Sequence, residues 1–565
     1  MKSKIKQRQA GMRMLASAIA MPALAILGGK ALAFEVDTGN PDVSVRWDNT
    51  VRYNLGMRVE GRDSKIGNSA VSDEGDYSFD NGEIVTNRVD LLTELDVVYK
   101  KQMGFRVSAA GWYDAAYGDD SQSNPFPPLV AIPSYVNRQY TDYTKKYYHG
   151  PGIELLDAFV FGNFDVGTVP SSVKAGRYSL YWGESLFVNG NLHGIAYAQN
   201  PLDLQKGFAT PGSEAKELFR PLGQISGQAQ ITDTVSVGAQ WFWQWEEFRY
   251  PEGGTYTGPV DFVFNGPERQ FIPGLNFAAN GGGINPPSTG EWGASARWSP
   301  QWLDGSLGVY YRNYADKLPQ VLLTQVGVNR SIYNLLYKDD IDLWGISLAK
   351  NIAGVSLGAE LSYRHNTPLN AQVLGVAVPS GRPEGGTTPG PVGDTYHGLV
   401  NLLGIVPKTP VFDTANYAVE LTWSQYDKVT SGARLFNAEG FGGCTFAGRP
   451  GDRTDGCTTK NYWGLALSFT PTWFQVFPGV DLQAPVTFAT GLHGNAPTIF
   501  GGNEDNGNYT IGIGADIYQK YRVDLKYIDW FGDYKDNGTA VTTQNGFTTL
   551  LKDRGFVSLT LKTTF

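Results

Sequence analysis

The sequence predicts an all-β protein: a closed, antiparallel transmembrane β-barrel of about 16 strands, with 14 and 18 as alternatives, carrying long external loops and one inward-folded segment. Three observations predict it. The chain opens with an export signal, its longest regular segments alternate apolar and polar residues, and it ends on such a segment, closed by Phe565.

Lys2, Lys4, Lys6, Arg8 and Arg13 form a cationic start without an acid, an apolar run follows from Met14 to Leu27, and Ala31-Leu32-Ala33 supplies a small-x-small cleavage pattern before Phe34. That run is shorter than the ~20 residues needed to cross a bilayer as a helix. The expected organisation is a signal peptide over 1–33 and a single barrel over 34–565. Cleavage leaves 532 residues (565 − 33) and removes Lys30 and the five basic residues above but no acid, moving the formal charge from −9 to −15. So acidic a mature chain excludes nucleic acid as a partner, which requires a basic footprint. The 69 Gly, 30 Tyr and 14 Trp, against five His and two Cys, suit alternating strands better than helices that bury a stripe.

The first mature strand runs from Val43 to Val59. Val43, Val45, Trp47, Val51, Tyr53, Leu55 and Met57 share one face; Ser44, Arg46, Asp48, Thr50, Arg52, Asn54 and Arg58 share the other. A soluble sandwich would bury the apolar face, whereas a membrane barrel turns it to lipid and lines its lumen with the charged one. The export signal and the C-terminal strand favour the barrel. A second strand at 88–99 repeats the scheme, with Val89, Leu91, Leu95 and Val97 outward and Arg88, Asp90, Glu94 and Asp96 inward. Arg46, Arg52, Arg88, Asp90 and Glu94 are thus lumen candidates. Their interleaved signs fit cross-strand pairing better than a selective track of one charge.

Further candidate strands lie at 105–117, 153–166, 172–187, 221–231, 234–248, 290–299, 304–315, 331–350, 353–365, 412–426, 459–473, 480–491, 507–519, 521–534 and 555–565. With the first two they make 17, and a single-chain bacterial barrel needs an even number, so 16 is the expectation. Turns such as Lys100–Gly104 are short, whereas 118–150, 249–289, 366–411 and 427–458 are long and rich in Gly, Pro, Asn or Asp. Cys444 and Cys457 fall in one long connection of an exported chain, which predicts a disulfide between them. Trp241, Trp243 and Trp245 share a face and are expected in the aromatic girdle of the membrane interface; an apolar sliding surface is the alternative. The final strand places Val557, Leu559, Leu561, Thr563 and Phe565 on one face, resembling the signal that barrel-assembly machinery recognises.

Residues 175–220 break the pattern. Gly176-Arg177 and Trp182-Gly183-Glu184-Ser185 lead into Asn200-Pro201-Leu202-Asp203 and then Pro211-Gly212-Ser213-Glu214-Ala215-Lys216-Glu217. Ser213 to Phe219 reads as two helical turns with Ser213 as cap, ended before Pro221. Together with Gln244-Trp245-Glu246, Asp394-Thr395-Tyr396-His397 and Glu420-Leu421-Thr422, these runs resemble the large outer-membrane family catalogued as "domain of unknown function 1302", over essentially the whole mature chain. Tyr178 stands where that family more often has Gln.

The resemblance implies a barrel in settings tied to hydrophobic compounds, with a periplasmic lipid-carrier-like protein as a partner beside outer-membrane lipid. It marks Arg177, Trp182, Glu184, Asn200, Asp203, Glu214, Lys216 and Glu217 as candidates for a constriction built by the in-folded segment. Arg177 and Glu184, seven apart, suit either a pair bracing a constriction or a structural bend at the barrel mouth. Catalysis has thin support: His193 near Ser185 is the best Ser–His neighbourhood, no histidine sits at metal-ligand spacing, and no cofactor is implied. Two solute classes remain open for an outer-membrane channel: small hydrophobic or amphipathic molecules, or polar nutrients through a general or solute-specific porin.

Overall fold

The structure, a computed structural model, describes residues 34–565 apart from 126, 128–131, 210–214, 273–275, 328–329, 377–381 and 447. The expected signal peptide lies outside the described residues. The wall strands are β1 Val43–Arg58, β2 Ile84–Tyr99, β3 Met103–Asp114, β4 Gly152–Val166, β5 Val169–Tyr178 and β6 Leu222–Thr232. They continue with β7 Val235–Phe242, β8 Trp292–Trp298, β9 Gly305–Tyr314, β10 Ile341–Ile352, β11 Val355–Pro368 and β12 Val392–Val406. The last six are β13 Thr414–Ser431, β14 Asn461–Phe477, β15 in two runs (Val480–Gln483 and Val486–His493), β16 Gly507–Ile517, β17 Tyr521–Phe531 and β18 Phe556–Thr564. Each pairs antiparallel with the next, and β18 pairs back onto β1, Thr564 opposite Thr50 and Phe556 opposite Arg58, so the sheet closes.

The barrel therefore has 18 strands, not 16. β12 lies inside what the sequence offered as one long loop. Its inward positions hold Leu399, Leu403 and Ile405 while Gly398 and Gly404 stand on the outward parity, so its alternation is muted. The segment 331–350 is two strands, of which only Ile341–Ile352 belongs to the wall. The candidates at 172–187 and 234–248 leave the wall early, at Tyr178 and Phe242.

Burial in the wall is inverted relative to a soluble protein. In β1 the buried residues are Asp48, Thr50, Arg52, Asn54, Gly56 and Arg58, while Trp47 and Met57 are exposed. Outward aromatics on successive strands touch ring to ring. Trp292 meets Tyr311 at 5.0 Å, Tyr311 meets Trp344 at 5.6 Å, Trp344 meets Tyr363 at 5.9 Å and Tyr363 meets Tyr396 at 5.0 Å. Trp423–Trp463 and Trp241–Trp243 belong to the same band. Trp245 does not: the chain has left the wall by then, and its ring packs on Tyr337 in a buried cluster.

Connections at one end are short (100–102, 167–168, 353–354); at the other they are long (59–83, 115–151, 179–221, 243–291, 315–340, 369–391, 432–460). The long ones build their own core. A five-stranded mixed sheet orders Gly375–Val376, Gln320–Gly327, Arg330–Leu336, Asn276–Ile284 and Arg269–Ile272, with Trp245, Phe262, Phe264 and Tyr333 packed together in the same region. Arg58 and Arg554, both fully buried, bind these loops together: Arg58 donates to Asp76, Phe79 and Asp553, and Arg554 donates to the carbonyls of Ser72, Tyr256 and Gly258.

Cys444 and Cys457 are joined, with Cα atoms 5.8 Å apart, inside the 432–460 loop. Non-reducing mass spectrometry of the exported protein is expected to recover the two peptides linked. Cys444→Ser should loosen that loop by about 2–4 kcal/mol, read as lost amide protection near Asn437 and Thr458, with the barrel intact. Two free thiols in the exported protein would overturn the assignment.

A segment folded across the lumen

Between β5 and β6 the chain turns into the barrel and crosses it before rejoining the wall. Four short helical turns punctuate it: α1 Val188–His193, α2 Ile195–Ala198 (a 3-10 turn), α3 Leu204–Ala209 and α4 Ala215–Leu218. Helices this short cannot satisfy their own terminal amides and carbonyls. The wall does it for them. Glu420 on β13 accepts from the amides of Leu186 (2.7 Å) and Phe187 (3.1 Å) before α1; Glu360 on β11 accepts from Glu184 N and from Ile195 N (2.7 Å), at the start of α2. At the other ends, Arg364 on β11 donates to the carbonyls of Leu192 (3.1 Å) and Gly194 (2.9 Å), and Arg312 on β9 donates to Ala198 (2.7 Å). Carboxylates thus meet N-terminal amides and guanidinium groups meet C-terminal carbonyls, the arrangement the peptide dipoles favour.

The fit requires glycine. A Cβ on Gly190 would stand 1.9 Å from a Glu420 carboxylate oxygen, and Gly183, at φ +103°, would place one 2.4 Å from Glu360. Asn401 on β12 ties the two clamps together, donating to Glu184 O (2.6 Å) and to Glu420 (3.2 Å). His193 faces His397 of β12 with Nδ1 atoms 3.2 Å apart, and its Nε2 donates to Gly501 O at 2.7 Å. The second half of the segment is held by the opposite wall. Arg52 of β1 makes a bidentate pair with Glu217 (2.8 and 3.0 Å), Lys206 reaches Glu217 at 2.7 Å, and Phe208 lies against Trp530 of β17.

The sequence candidates fall into three groups. Arg52, Asp203, Glu184, Asn200 and Glu217 join the segment to its surroundings: Asp203 pairs with Arg249 (3.0 Å), Asn200 bonds Leu180 N and Arg220 O, and Glu184 meets Ser347 (3.2 Å) and Arg297 (3.4 Å). Trp182 packs beside Tyr310. Arg88, Asp90, Glu94 and Arg46 pair within the wall, Arg88 with Asp90, Glu94 with Arg106 and Arg46 with Asp48. Glu214 lies outside the described residues, as does its neighbour Ser213, and of Lys216 only the backbone, in α4, is described.

The structure decides two readings that the sequence left open. Arg177 and Glu184 do not pair: Arg177 binds Gln244 (2.9 Å) and Glu246 (2.8 Å), because the chain bends inward before Glu184. Arg177 also sits opposite Gly223, whose Cβ position faces Trp243, so strand parity puts it on the outer side near the end of β5. His193 is engaged by His397 and Gly501, and Ser185 by Tyr181, so the Ser–His neighbourhood does not form. Sequence reasoning missed Glu360, Arg312 and Arg364 altogether and gave Glu420 and His397 no role. Their one signal was a charge or imidazole on the inward parity of a strand.

At the mouth, Asp73, Glu74 and Asp261 are buried together with few cations near. Burial pushes Asp73 up to about 6 and Glu74 up to about 7, and raises Asp261 well above the carboxylate range. Asp553, buried beside Asp76, is pushed up to about 7 despite Arg58 and Arg554. The folded loops therefore hold protons that unfolded loops release from about pH 4 upward, so their stability is full below that and falls as pH rises toward 7. Amide exchange of 66–78 and 134–140, corrected for its intrinsic pH dependence, should be slower at pH 5 than at pH 8. Equal or reversed protection would contradict this.

Residues 13–565 match the sequence model of the family described as "Protein of unknown function (DUF1302)". No curated protein matches the chain. Among solved structures it is similar to the outer membrane channel DcaP of Acinetobacter baumannii, at 10% identity and TM-score 0.36 over 95% of this chain and 100% of that one. It is similar also to OpdK of Pseudomonas aeruginosa with vanillate, at 9% identity and TM-score 0.40 over 92% and 98%. A third is Salmonella typhi OmpF in complex with daunomycin, at 8% identity and TM-score 0.36 over 94% and 100%. These likenesses are too distant to transfer a substrate.

Proposed function

The chain belongs to the family described as "Protein of unknown function (DUF1302)", and because that description assigns no activity, we propose one from the site: an outer-membrane channel, closed at rest by the segment between β5 and β6, that passes small hydrophobic or amphipathic molecules. The carrying observation is that this segment crosses the lumen and is bonded to β1, β9, β11, β12 and β13. Lumens of 16–18-stranded barrels are otherwise wide enough for water. An exposed apolar wall over a polar interior, with a ring of outward aromatics, fits residence in a bilayer.

The solute class rests on what the segment presents. Leu192, Ile195, Tyr197, Leu202 and Leu204 form one apolar cluster with Tyr310, Tyr314 and Leu343 of the wall. A path that opens by shifting this segment is lined by aliphatic and aromatic surface. The decisive measurement is uptake by proteoliposomes of a long-chain alkyl carboxylate against a neutral sugar. The carboxylate should enter and the sugar should not. Free passage of the sugar would replace this reading with a polar-nutrient porin, for which the partly exposed Arg106, Asp157, Asp516 and Arg522 would be the lining.

A further inference from the structure

The wall is incomplete beside the root of the in-folded segment. β4 pairs with β3 along Gly152–Gly162, but its pairing with β5 begins only at Ala158, opposite Arg177. Gly152–Leu155 therefore have a strand partner on one side alone, and Leu156 and Asp157 lie at a bulge in the β3–β4 ladder. The next strand ends because the chain kinks at Gly176, φ +136°, where a Cβ would strike Ala158 O, and dives inward after Tyr178. A strand edge facing hydrocarbon leaves peptide groups unsatisfied, which barrels avoid by closure. An opening here demands a reason.

The notch has an apolar lip and a polar latch. Ile153 is 77% exposed and Leu155 48%, with the outward rings of Tyr113 on β3 and of Trp243 just past the end of β7. Behind the edge lies a cavity lined by Leu156, Ala110, Trp112, Tyr147 and Ala209 together with Glu154 and Asp203. Arg249 closes it, bidentate to Glu154 at 2.7 Å and bound to Asp203 at 3.0 Å. Next to it Arg177 and Arg220 share Glu246, and each keeps a buried Nε–H without a partner. Two free guanidinium donors beside an apolar lip fit the head of an alkyl carboxylate, whose oxygens accept such donors in pairs.

We propose that the gap between β4 and β5 is a lateral portal through which a single-chain amphiphile with a carboxylate head passes between the lumen and the outer leaflet. The proposal rests on the channel reading above and names its ligand class and route. Because the segment that fills the lumen starts at the portal's edge, a shift that opens one opens the other. The carboxylate displaces Glu154 from Arg249, and the tail leaves past Ile153 and Leu155.

Wild-type protein in dioleoylphosphatidylcholine vesicles, photolysed with a long-chain alkyl carboxylate carrying a terminal diazirine, should show adducts on Ile153 and Leu155 outside and on Leu156 and Ala209 inside. Excess oleate should suppress them, and a diazirine phospholipid should mark only the outer pair. Adducts spread over the outward wall, with none on Leu156 or Ala209, would overturn the portal. As a second test, a Glu154→Cys, Arg249→Cys variant, which has lost the latch and serves only as its own reference, should take up the carboxylate at least tenfold more slowly when joined by a short bis-maleimide than when each thiol is capped separately. If bridging leaves uptake unchanged, the portal falls and the channel stands. If wild-type protein neither takes up nor cross-links the carboxylate, the hydrophobic-channel reading falls with it.

Discussion

Replacing residues 183–217 by a short Gly-Ser linker is expected to raise single-channel conductance on the order of tenfold, because an 18-stranded wall without its filling encloses an aqueous lumen. The excision removes both helical halves and the groups that Glu360, Glu420, Arg312, Arg364 and Arg52 now hold. Those wall charges then face water, where they are solvated at little cost, so the barrel itself should assemble and keep its heat-modifiable mobility. Uptake of the alkyl carboxylate should fall even as ions pass more freely, since the apolar surface around Leu192 and Ile195 goes with the segment. Conductance unchanged after excision would place the barrier in the loop sheet built from Arg269–Ile272, Asn276–Ile284, Gln320–Gly327 and Arg330–Leu336 instead.

The second large effect is expected from the clamp. Gly190→Val puts a branched side chain where the Glu420 carboxylate stands 1.9 Å from a Cβ. The carboxylate must leave, and the amides of Leu186 and Phe187 lose their acceptors. Each buried donor so orphaned costs about 1–3 kcal/mol, enough together to unseat the first half of the segment. Planar-bilayer traces should change from a quiet closed level to flickering openings, and amide exchange at Leu186 and Phe187 should quicken. Glu420→Gln is the graded control. It keeps one acceptor oxygen, so one of the two amides loses its partner and the traces should fall between the wild type and Gly190→Val. Wild-type traces from Gly190→Val would mean that the clamp does not hold the segment.

Much of the fold was legible because alternation is a local signal. β1, β2 and β18 could be read residue by residue, and the reading of 1–33 as an export signal, with the terminal strand, set the expectation that their apolar face turns outward. β12 escaped because Leu403 and Ile405 face inward and glycines hold outward positions. The loop sheet escaped because its strands sit in stretches rich in Gly, Asn and Pro, where pairing comes from distant partners and not from their own pattern. The site was half legible. The segment itself announced its inward fold through Pro, Gly and the helical run before Pro221. Its seats did not, since Glu360 meets Glu184 across 176 residues and Glu420 meets Leu186 across 234. An inward Glu on a strand looks the same whether it touches water or caps a helix.

That separation has a consequence for how the molecule comes to be assembled. Until β11 and β13 take their places in the wall, the segment between β5 and β6 lacks acceptors for its amides and the Arg364 donor for its carbonyls. It must stay hydrated until seats 176 and 234 residues away are brought to it, and closing so long a loop is entropically slow. Seating therefore becomes a late event, bound to the moment when β18 zips onto β1 and the interior dries. A barrel arrested before that seam forms would be an open sheet with an undecided interior. Sequence distance thus makes the closed seam the condition for a filled lumen.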